Sequence, residues 1–312
     1  MPETSGKISV VIPVYRSEDS LPVLVPEIVD VLGAMGRDFE IVLVDDCSPD
    51  NSWAVMKDLK TRFENRLKIV HLLKNSGQHN AILCGFSLAT GDIIVTMDDD
   101  LQNPPSEIPK LIAAIDRGFD LAIASYDSKK HSGIRNAAGG MIDMLQRKMF
   151  GLPGDFQLTS FRAVKRIIVE NVVKMGGVFP YVTSMLLSHA ASYTNVEVVH
   201  EPRRFGKSRY NISRSMLLAA NLMFSYSVYP VYLVAIACAA AFSFAILLSL
   251  LVIYRVLILG AAVPGWASLV VITSFFNAIT LFCLLIFSLY LSRFNQQLTG
   301  VRVGYTVSEL YD

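Results

Sequence analysis

Short apolar runs alternate with amphipathic stretches through the first 125 residues. Ile8–Val14, Glu40–Val44, Lys68–Leu73, Asp92–Met97 and Leu121–Ser125 are nearly continuous in apolar residues, as strands buried on both faces are. Between them, Leu21–Met35, Ser52–Phe63, His79–Ala89 and Ile108–Arg117 place apolar positions at helical spacing. This order predicts an α/β fold, a mostly parallel sheet covered by helices. Beyond Ser215 the pattern changes, and Arg255 is the only charged side chain before Ser292. Val231–Tyr254 and Ala267–Leu291 are charge-free, and each exceeds the roughly 20 apolar residues that cross a bilayer core. They predict two membrane spans.

The chain thus divides into an α/β domain over 1–210, an interfacial amphipathic helix over 211–230, two transmembrane helices within 231–292 and a tail over 293–312. Lys207, Arg209 and Arg214 precede the hydrophobic pair, and Arg293 and Arg302 follow it. The connecting loop Gly260–Trp266 carries no charge, although Arg255 stands at its approach. Positive flanks stay in the cytoplasm, so the α/β domain and both termini are expected there. The polar start Met1–Lys7 gives no reason to expect a signal peptide. Ile212–Tyr229 is apolar nearly throughout, with Tyr226 and Tyr229 suited to headgroup depth. A stripe from Ile134 to Phe150 recurs at helical spacing and predicts a helix packed on the sheet or lying on the membrane.

Composition narrows the partners. Mean hydropathy is +0.43, as a membrane chain requires. A net charge of +1 offers no domain-wide basic field, which argues against nucleic acid. Cys47, Cys84, Cys238 and Cys283 lack metal-ligand spacing, and two lie in the predicted spans, so no disulfide framework is expected. The histidines are dispersed without a zinc pattern. Small residues at Ala235-Ile236-Ala237-Cys238-Ala239 permit helix association, compatible with a homo-oligomer.

The chemistry concentrates in Asp92–Pro105. An apolar run ends there in Asp98, Asp99 and Asp100, and Pro104-Pro105 stops the strand. The acids therefore emerge at the carboxyl edge of a sheet, where open α/β folds bind ligands. Adjacent carboxylates repel unless positive charge sits among them, and a divalent cation supplies it. In extended backbone Asp98 and Asp100 share a face while Asp99 points elsewhere. A solvated acidic turn is the plain alternative. Asp45 and Asp46 end the second run in the same way, with helix capping by Asp46 or Ser48 as the alternative. No Gly-x-Gly-x-x-Gly accompanies the strands, so a dinucleotide fold would lack its phosphate loop.

Further segments carry a family likeness in order along the chain: Val11-Ile12-Pro13-Val14-Tyr15, Val44-Asp45-Asp46, Gly77-Gln78-His79-Asn80-Ala81, Gly154-Asp155-Phe156 and Arg203-Arg204-Phe205-Gly206-Lys207-Ser208-Arg209-Tyr210. With Asp98-Asp99-Asp100-Leu101-Gln102-Asn103-Pro104-Pro105, the set resembles the inverting, nucleotide-sugar-dependent glycosyltransferases of family 2. Within them it resembles the branch that loads a sugar onto a polyprenyl phosphate, the dolichyl-phosphate mannose synthases and bacterial undecaprenyl-phosphate glycosyltransferases. The resemblance implies an A-type, Rossmann-like glycosyltransferase fold with interfacial helices and two C-terminal transmembrane helices, in a bacterial inner membrane. It implies a nucleotide-sugar site at Pro13, Tyr15, Asp45, Asp46, Asp98 and Asp99, with one of Asp45 and Asp46 meeting the base or ribose. It also implies Mg²⁺ or Mn²⁺ on Asp98, Asp100 and Gln102, acting as a Lewis acid toward the departing diphosphate. By position alone Gln102 is as readily a turn residue. Asp100 and Asp155 are the implied catalytic carboxylates.

Asp155 matches the carboxylate that the family places near the acceptor. A phosphate monoester has a second pKa of roughly 6 and needs little help from a base, so Asp155 is expected mainly to orient it. An anionic acceptor calls for cations just before the membrane. Arg203, Lys207 and Arg209, with Ser208 among them, form the expected phosphate clamp, and Arg135 is a further candidate. Headgroup anchoring is the alternative for these residues. The likeness of Gly77–Ala81 to the undecaprenyl branch favours UDP over GDP and undecaprenyl phosphate as acceptor. Three departures bear on this: Arg16-Ser17 where Asn-Glu is usual, Cys47 where Gly is common, and Gln157 where many members have Arg. They leave the sugar open rather than the reaction class. A processive polysaccharide synthase is a second reading, but its Gln-x-x-Arg-Trp motif is missing around Trp53 and Trp266. A membrane-anchored sugar-nucleotide sensor is a third, and the intact Asp98, Asp100 and Asp155 argue against it.

Overall fold

The computed structural model describes residues 6–126, 147, 151–177, 180–202, 204, thirteen positions between 234 and 258, 265–298 and 303–312. The chain forms two compact units, Met1–Met216 with Val301–Asp312, and Leu217–Gly300. The first is built on an eight-stranded sheet whose strands, in lateral order, are Tyr193–Glu197, Leu121–Ser125, Arg162–Lys165, Ile93–Thr96, Ile8–Val14, Phe39–Asp45, Leu67–Leu72 and Val307–Tyr311. β1 (Ile8–Val14), β2 (Phe39–Asp45), β3 (Leu67–Leu72), β4 (Ile93–Thr96) and β5 (Leu121–Ser125) are the expected strands, each end within one residue. α1 (Leu21–Ala34), α2 (Ser52–Arg62), α3 (Gln78–Leu88) and α4 (Ile108–Asp116) agree as closely.

β4, β1, β2 and β3 run parallel, and every residue of β1, β2 and β4 is buried. That burial explains their continuous apolar runs. Helix α3 lies so close to the sheet that a Cβ on Gly85 would stand 2.3 Å from Val11 Cγ1. The start of α3 thereby reaches the carboxyl edge of β4. At the opposite edge, Glu40 accepts hydrogen bonds from Ser9 Oγ (2.6 Å) and Thr90 N (2.5 Å), and Lys7 (3.1 Å) and Lys68 (3.5 Å) approach it.

Several elements lie outside the periodicity reading. β6 (Arg162–Lys165) is short and charged at both ends, and it inserts antiparallel between β4 and β5. α5 (Arg166–Met175) and α6 (Val182–His189) follow, then β7 (Tyr193–Glu197), which pairs parallel with β5. Within the tail, for which the periodicity predicts no element, Val307–Tyr311 forms β8, antiparallel on β3. Its short exposed run carries little signal of its own, and the open edge of β3 supplies the pairing groups that make it a strand.

In the second unit, α7 (Trp266–Leu298) has 33 residues. Cys238 Sγ lies 3.1 Å from Cys283 Sγ, both thiols free, and the Phe244 and Phe276 rings are 6.3 Å apart. Position 238 faces 283 and 244 faces 276, the order of an antiparallel helical pair. Counting described residues only, no helix is long and apolar enough to cross a membrane. The expected interfacial helix over 211–230, the apolar positions of the stripe from Ile134 to Phe150, and Arg135 lie outside the described residues.

Candidate active site

The loops leaving β1, β2 and β4 at the carboxyl edge each contain a non-glycine residue with positive φ: Arg16 (59°), Cys47 (55°) and Leu101 (58°). Such backbone costs on the order of 1–3 kcal/mol and gathers where function demands a shape. Cys47 therefore occupies a conformation that glycine takes without strain, which gives its departure from the family pattern a physical content. Leu101 is held in its turn by burial in the core, and the turn carries the chain from Asp100 to Gln102.

Asp98 is gripped from two elements. The Gln78 amide donates to its Oδ1 at 2.7 Å from the start of α3, and the Ser160 hydroxyl donates to its Oδ2 at 2.5 Å. Asp100 Oδ1 accepts the Gln102 backbone N–H at 3.2 Å. Gln102 is tied outward: its side-chain amide lies 3.3 Å from His200 Nε2, and its carbonyl accepts Glu201 N at 2.8 Å. His200 packs on Tyr126, ring centres 4.2 Å apart. Asp99 turns the other way, accepting Tyr15 N at 3.1 Å and the Ser17 hydroxyl. Its surface area is partly open, yet the carboxyl itself is enclosed. Burial, opposed by those hydrogen bonds and helped by the charges of Asp98 and Asp100, pushes its pKa up to about 6. Among the described residues no three His, Cys, Asp or Glu side chains converge on a metal position. Asp98, Asp100 and Gln102 are nevertheless all oxygen donors, the set that hard divalent cations take.

Asp45 and Asp46 are both buried. Asp46 accepts Ser76 N at 2.6 Å and Gly77 N at 2.9 Å, which fixes the loop before α3. Burial raises its pKa, and the neighbouring Asp45 adds to this against those hydrogen bonds. Asp45 accepts Ser48 N at 3.2 Å and pairs with His71 at 2.6 Å. Pro13 is buried in β1 opposite Val44, while Tyr15 is half-buried beneath the Arg16 guanidinium, 5.6 Å from the ring centre. The structure thus brings Tyr15, Asp45, Asp46, Asp98, Asp99, Asp100 and Gln102 to one edge of the sheet.

Asp155 is exposed on a turn anchored by buried Phe156, whose ring meets Tyr193 edge-on at 5.3 Å. Gln157 is a structural staple: its Oε1 accepts Tyr126 N at 3.0 Å and its Nε2 donates to Tyr126 O at 2.9 Å. Arg135, Arg203, Lys207, Ser208 and Arg209 lie outside the described residues.

Beneath Asp98 lies Arg162, 1% exposed, donating to Thr96 Oγ1 at 3.1 Å and Thr183 Oγ1 at 2.8 Å. Burial lowers its pKa to about 10, and Tyr181 and Asp98 oppose the shift, so the guanidinium stays charged behind the acids. Burial and Arg162 together lower the His79 pKa to about 4, leaving that ring neutral. Sequence reasoning missed Ser17, Ser160 and Arg162, because contacts spanning 62–82 residues leave no local pattern. Gln78 stood in a quoted motif, but no spacing argument gave it a role.

Residues 9–172 match the family model described as Glycosyl transferase family 2. The chain belongs to that family. It is 32% identical over 274 residues to the undecaprenyl-phosphate 4-deoxy-4-formamido-L-arabinose transferase of Proteus mirabilis (strain HI4320), covering 88% of this chain and 83% of the relative. The enzyme of the same name from Enterobacter sp. (strain 638) is 33% identical over 267 residues, covering 85% and 80%. Within family 2 the chain is therefore similar to transferases of the polyprenyl-phosphate branch. Its α/β architecture is also that of glucosyl-3-phosphoglycerate synthase from Mycobacterium tuberculosis, solved with Mn²⁺, uridine diphosphate and phosphoglyceric acid. That likeness has a TM-score of 0.51 at 14% identity and covers 70% of this chain and 76% of that one, and it bears on the A-type fold alone.

Proposed function

We propose that this glycosyltransferase moves a sugar, with inversion, from a UDP-linked donor to undecaprenyl phosphate at the cytoplasmic face of a bacterial inner membrane. The observation that supports this is the gathering of Asp98, Asp100 and Gln102 at the carboxyl edge of β4, in a chain similar to transferases named for undecaprenyl phosphate. The named activity of the relatives, transfer involving undecaprenyl phosphate, agrees with this reading.

Strand β8 bears on the topology. Because it completes the sheet of the α/β unit, the tail and that unit occupy one compartment, so the chain between them crosses the bilayer an even number of times or not at all. The antiparallel pairing of 238 with 283 and 244 with 276, and exposed Leu269, Phe275, Leu281 and Phe287 on α7, favour two spans.

Asp98, Asp100 and Gln102 would hold Mg²⁺ or Mn²⁺, whose chemistry is to neutralise charge on the departing nucleoside diphosphate. The chain's own residues do the rest. Gln78 and Ser160 fix Asp98, Asp99 ties the acidic turn to the Tyr15 loop, and Asp155 orients the acceptor. Arg203, Lys207, Ser208 and Arg209, with Arg135, bind its phosphate. The phosphate oxygen attacks the anomeric carbon opposite the leaving group in one displacement, and the configuration inverts.

A panel of radiolabelled UDP- and GDP-sugars offered with undecaprenyl phosphate or with water-soluble alcohols tests the reading. Label enters the lipid from a UDP-sugar; equal labelling of soluble alcohols contradicts the assignment.

A further inference from the structure

Strand β8 is the lateral edge strand beside β3, and its contacts lead back to Asp45. His71 stands opposite Asp45 in the β2–β3 register, with Nδ1 2.6 Å from Asp45 Oδ2. A carboxylate only accepts, so that nitrogen carries the proton. The same carboxylate holds Ser48 N at 3.2 Å, and Ser48 Oγ accepts Arg16 N at 3.0 Å. Asp45 thus ties together the two left-handed loops after β1 and β2.

What holds His71 comes partly from the tail. Trp53 of α2 stacks on the imidazole with centres 5.0 Å apart, and the Tyr311 ring of β8 lies 5.9 Å from Trp53. The β3–β8 ladder is bulged at this step: His71 faces Glu309 but Leu72 faces Val307. Bulges re-aim side chains beside functional sites. The strand end is pinned, because Lys60 Nζ donates to Asp312 O at 2.9 Å and Lys68 Nζ reaches Asp312 Oδ1 at 2.9 Å. Upstream, a Cβ on Gly304 would stand 2.7 Å from Asn80 Oδ1, so the tail passes tightly over the first turn of α3.

We propose that His71, Trp53 and Tyr311 are positioning residues for the nucleotide, and that the seated C-terminal strand is what keeps them in place. Donor affinity then depends on the chain returning from its hydrophobic segment and docking on β3. The inference rests on the donor reading of the carboxyl edge given above, and it adds to that reading residues which contact no substrate.

The test uses the full-length protein in detergent. UDP and GDP binding to the unaltered protein is measured first by calorimetry, and absence of both overturns the donor reading together with this proposal. With binding established, His71→Ala and Tyr311→Ala should each weaken UDP binding and raise donor KM about tenfold, the loss of one positioning contact. The KM for polyprenyl phosphate should not change. His71→Asn places an amide N–H where Nδ1–H stood and should stay within about threefold of the unaltered protein. Gly304→Ala, which lifts the tail without touching the aromatic stack, should reproduce the donor-only loss should His71→Ala fail to fold. Unchanged UDP binding in folded His71→Ala or Gly304→Ala, or equal rises in both KM values, overturns the proposal while leaving the donor reading intact.

Discussion

The two ends of the parallel strands treat buried carboxylates in opposite ways. At the amino end, Glu40 sits among Ser9, Thr90, Lys7 and Lys68. Burial alone would raise its pKa, but hydrogen bonds from Ser9, Thr90 and Lys7 outweigh it and bring the value down to about 2. At the carboxyl end, Asp46 and Asp99 are shifted upward and Asp98, Asp99 and Asp100 crowd one another. Neutral donors hold them there, among them backbone N–H groups, the Ser17 and Ser160 hydroxyls and the Gln78 amide, while the Arg162 guanidinium lies behind Asp98. The backbone differs too, since among the described residues the left-handed non-glycine positions, Arg16, Cys47 and Leu101, stand at this edge. One end is satisfied for stability. The other sets three carboxylates close enough to raise the pKa of Asp99, a repulsion that a bound cation relieves.

Removing an acid should therefore mean different things at the two ends. The largest effect is expected for Asp98→Ala and Asp100→Ala, which should lower transfer on the order of 100-fold or more while thermal stability holds. Retained activity in either, measured by label transfer, would erase the contrast. Glu40→Ala should do the reverse, costing about 3 kcal/mol in urea unfolding because Lys7, Lys68, Ser9 and Thr90 lose their shared acceptor. Activity per folded molecule should not change. The pH dependence has a definite sign: the folded pKa of Glu40 is depressed, so its contribution is full above pH 4.5 and disappears as pH falls toward about 2. Acid unfolding of the unaltered protein and of Glu40→Gln should then converge at the bottom of that window.

Smaller effects sharpen the comparison. Asp99→Ala frees Tyr15 N and Ser17 and should raise donor KM roughly fivefold, with little change in kcat. A fall in kcat alone would mean that Asp99 acts on the reacting atoms instead. Cys47→Gly relieves a left-handed residue and should raise stability by up to about 1 kcal/mol, read as a small rise in Tm. A loss of stability would show that the Cys47 side chain contributes more than its backbone costs.

The fold's centre was legible for the reason that makes the two ends comparable. β1, β2 and β4 are buried on every residue, so their apolar runs are unbroken and their ends are marked by Asp45 and Asp98. β6 and β8 were not legible, since β6 mixes Arg162 and Lys165 into four residues and β8 is exposed throughout. Their pairing depends on neighbours far away in the chain. Within the site, residue identity and spacing pointed to the acids at the strand ends. The groups that aim those acids were hidden: Ser160 reaches Asp98 across 62 residues, and Ser17 reaches Asp99 across 82. Arg162 gave no sign because a fully buried guanidinium reads in sequence like any surface arginine.

The most direct test is a chelation and reconstitution assay on vesicles containing the protein, undecaprenyl phosphate and a radiolabelled UDP-sugar. After EDTA treatment, label in the lipid should fall to background, and Mg²⁺ or Mn²⁺ should restore it in the unaltered protein but not in Asp98→Ala. Undiminished labelling after chelation would contradict the claim that the excess acids at the carboxyl edge work through a divalent cation.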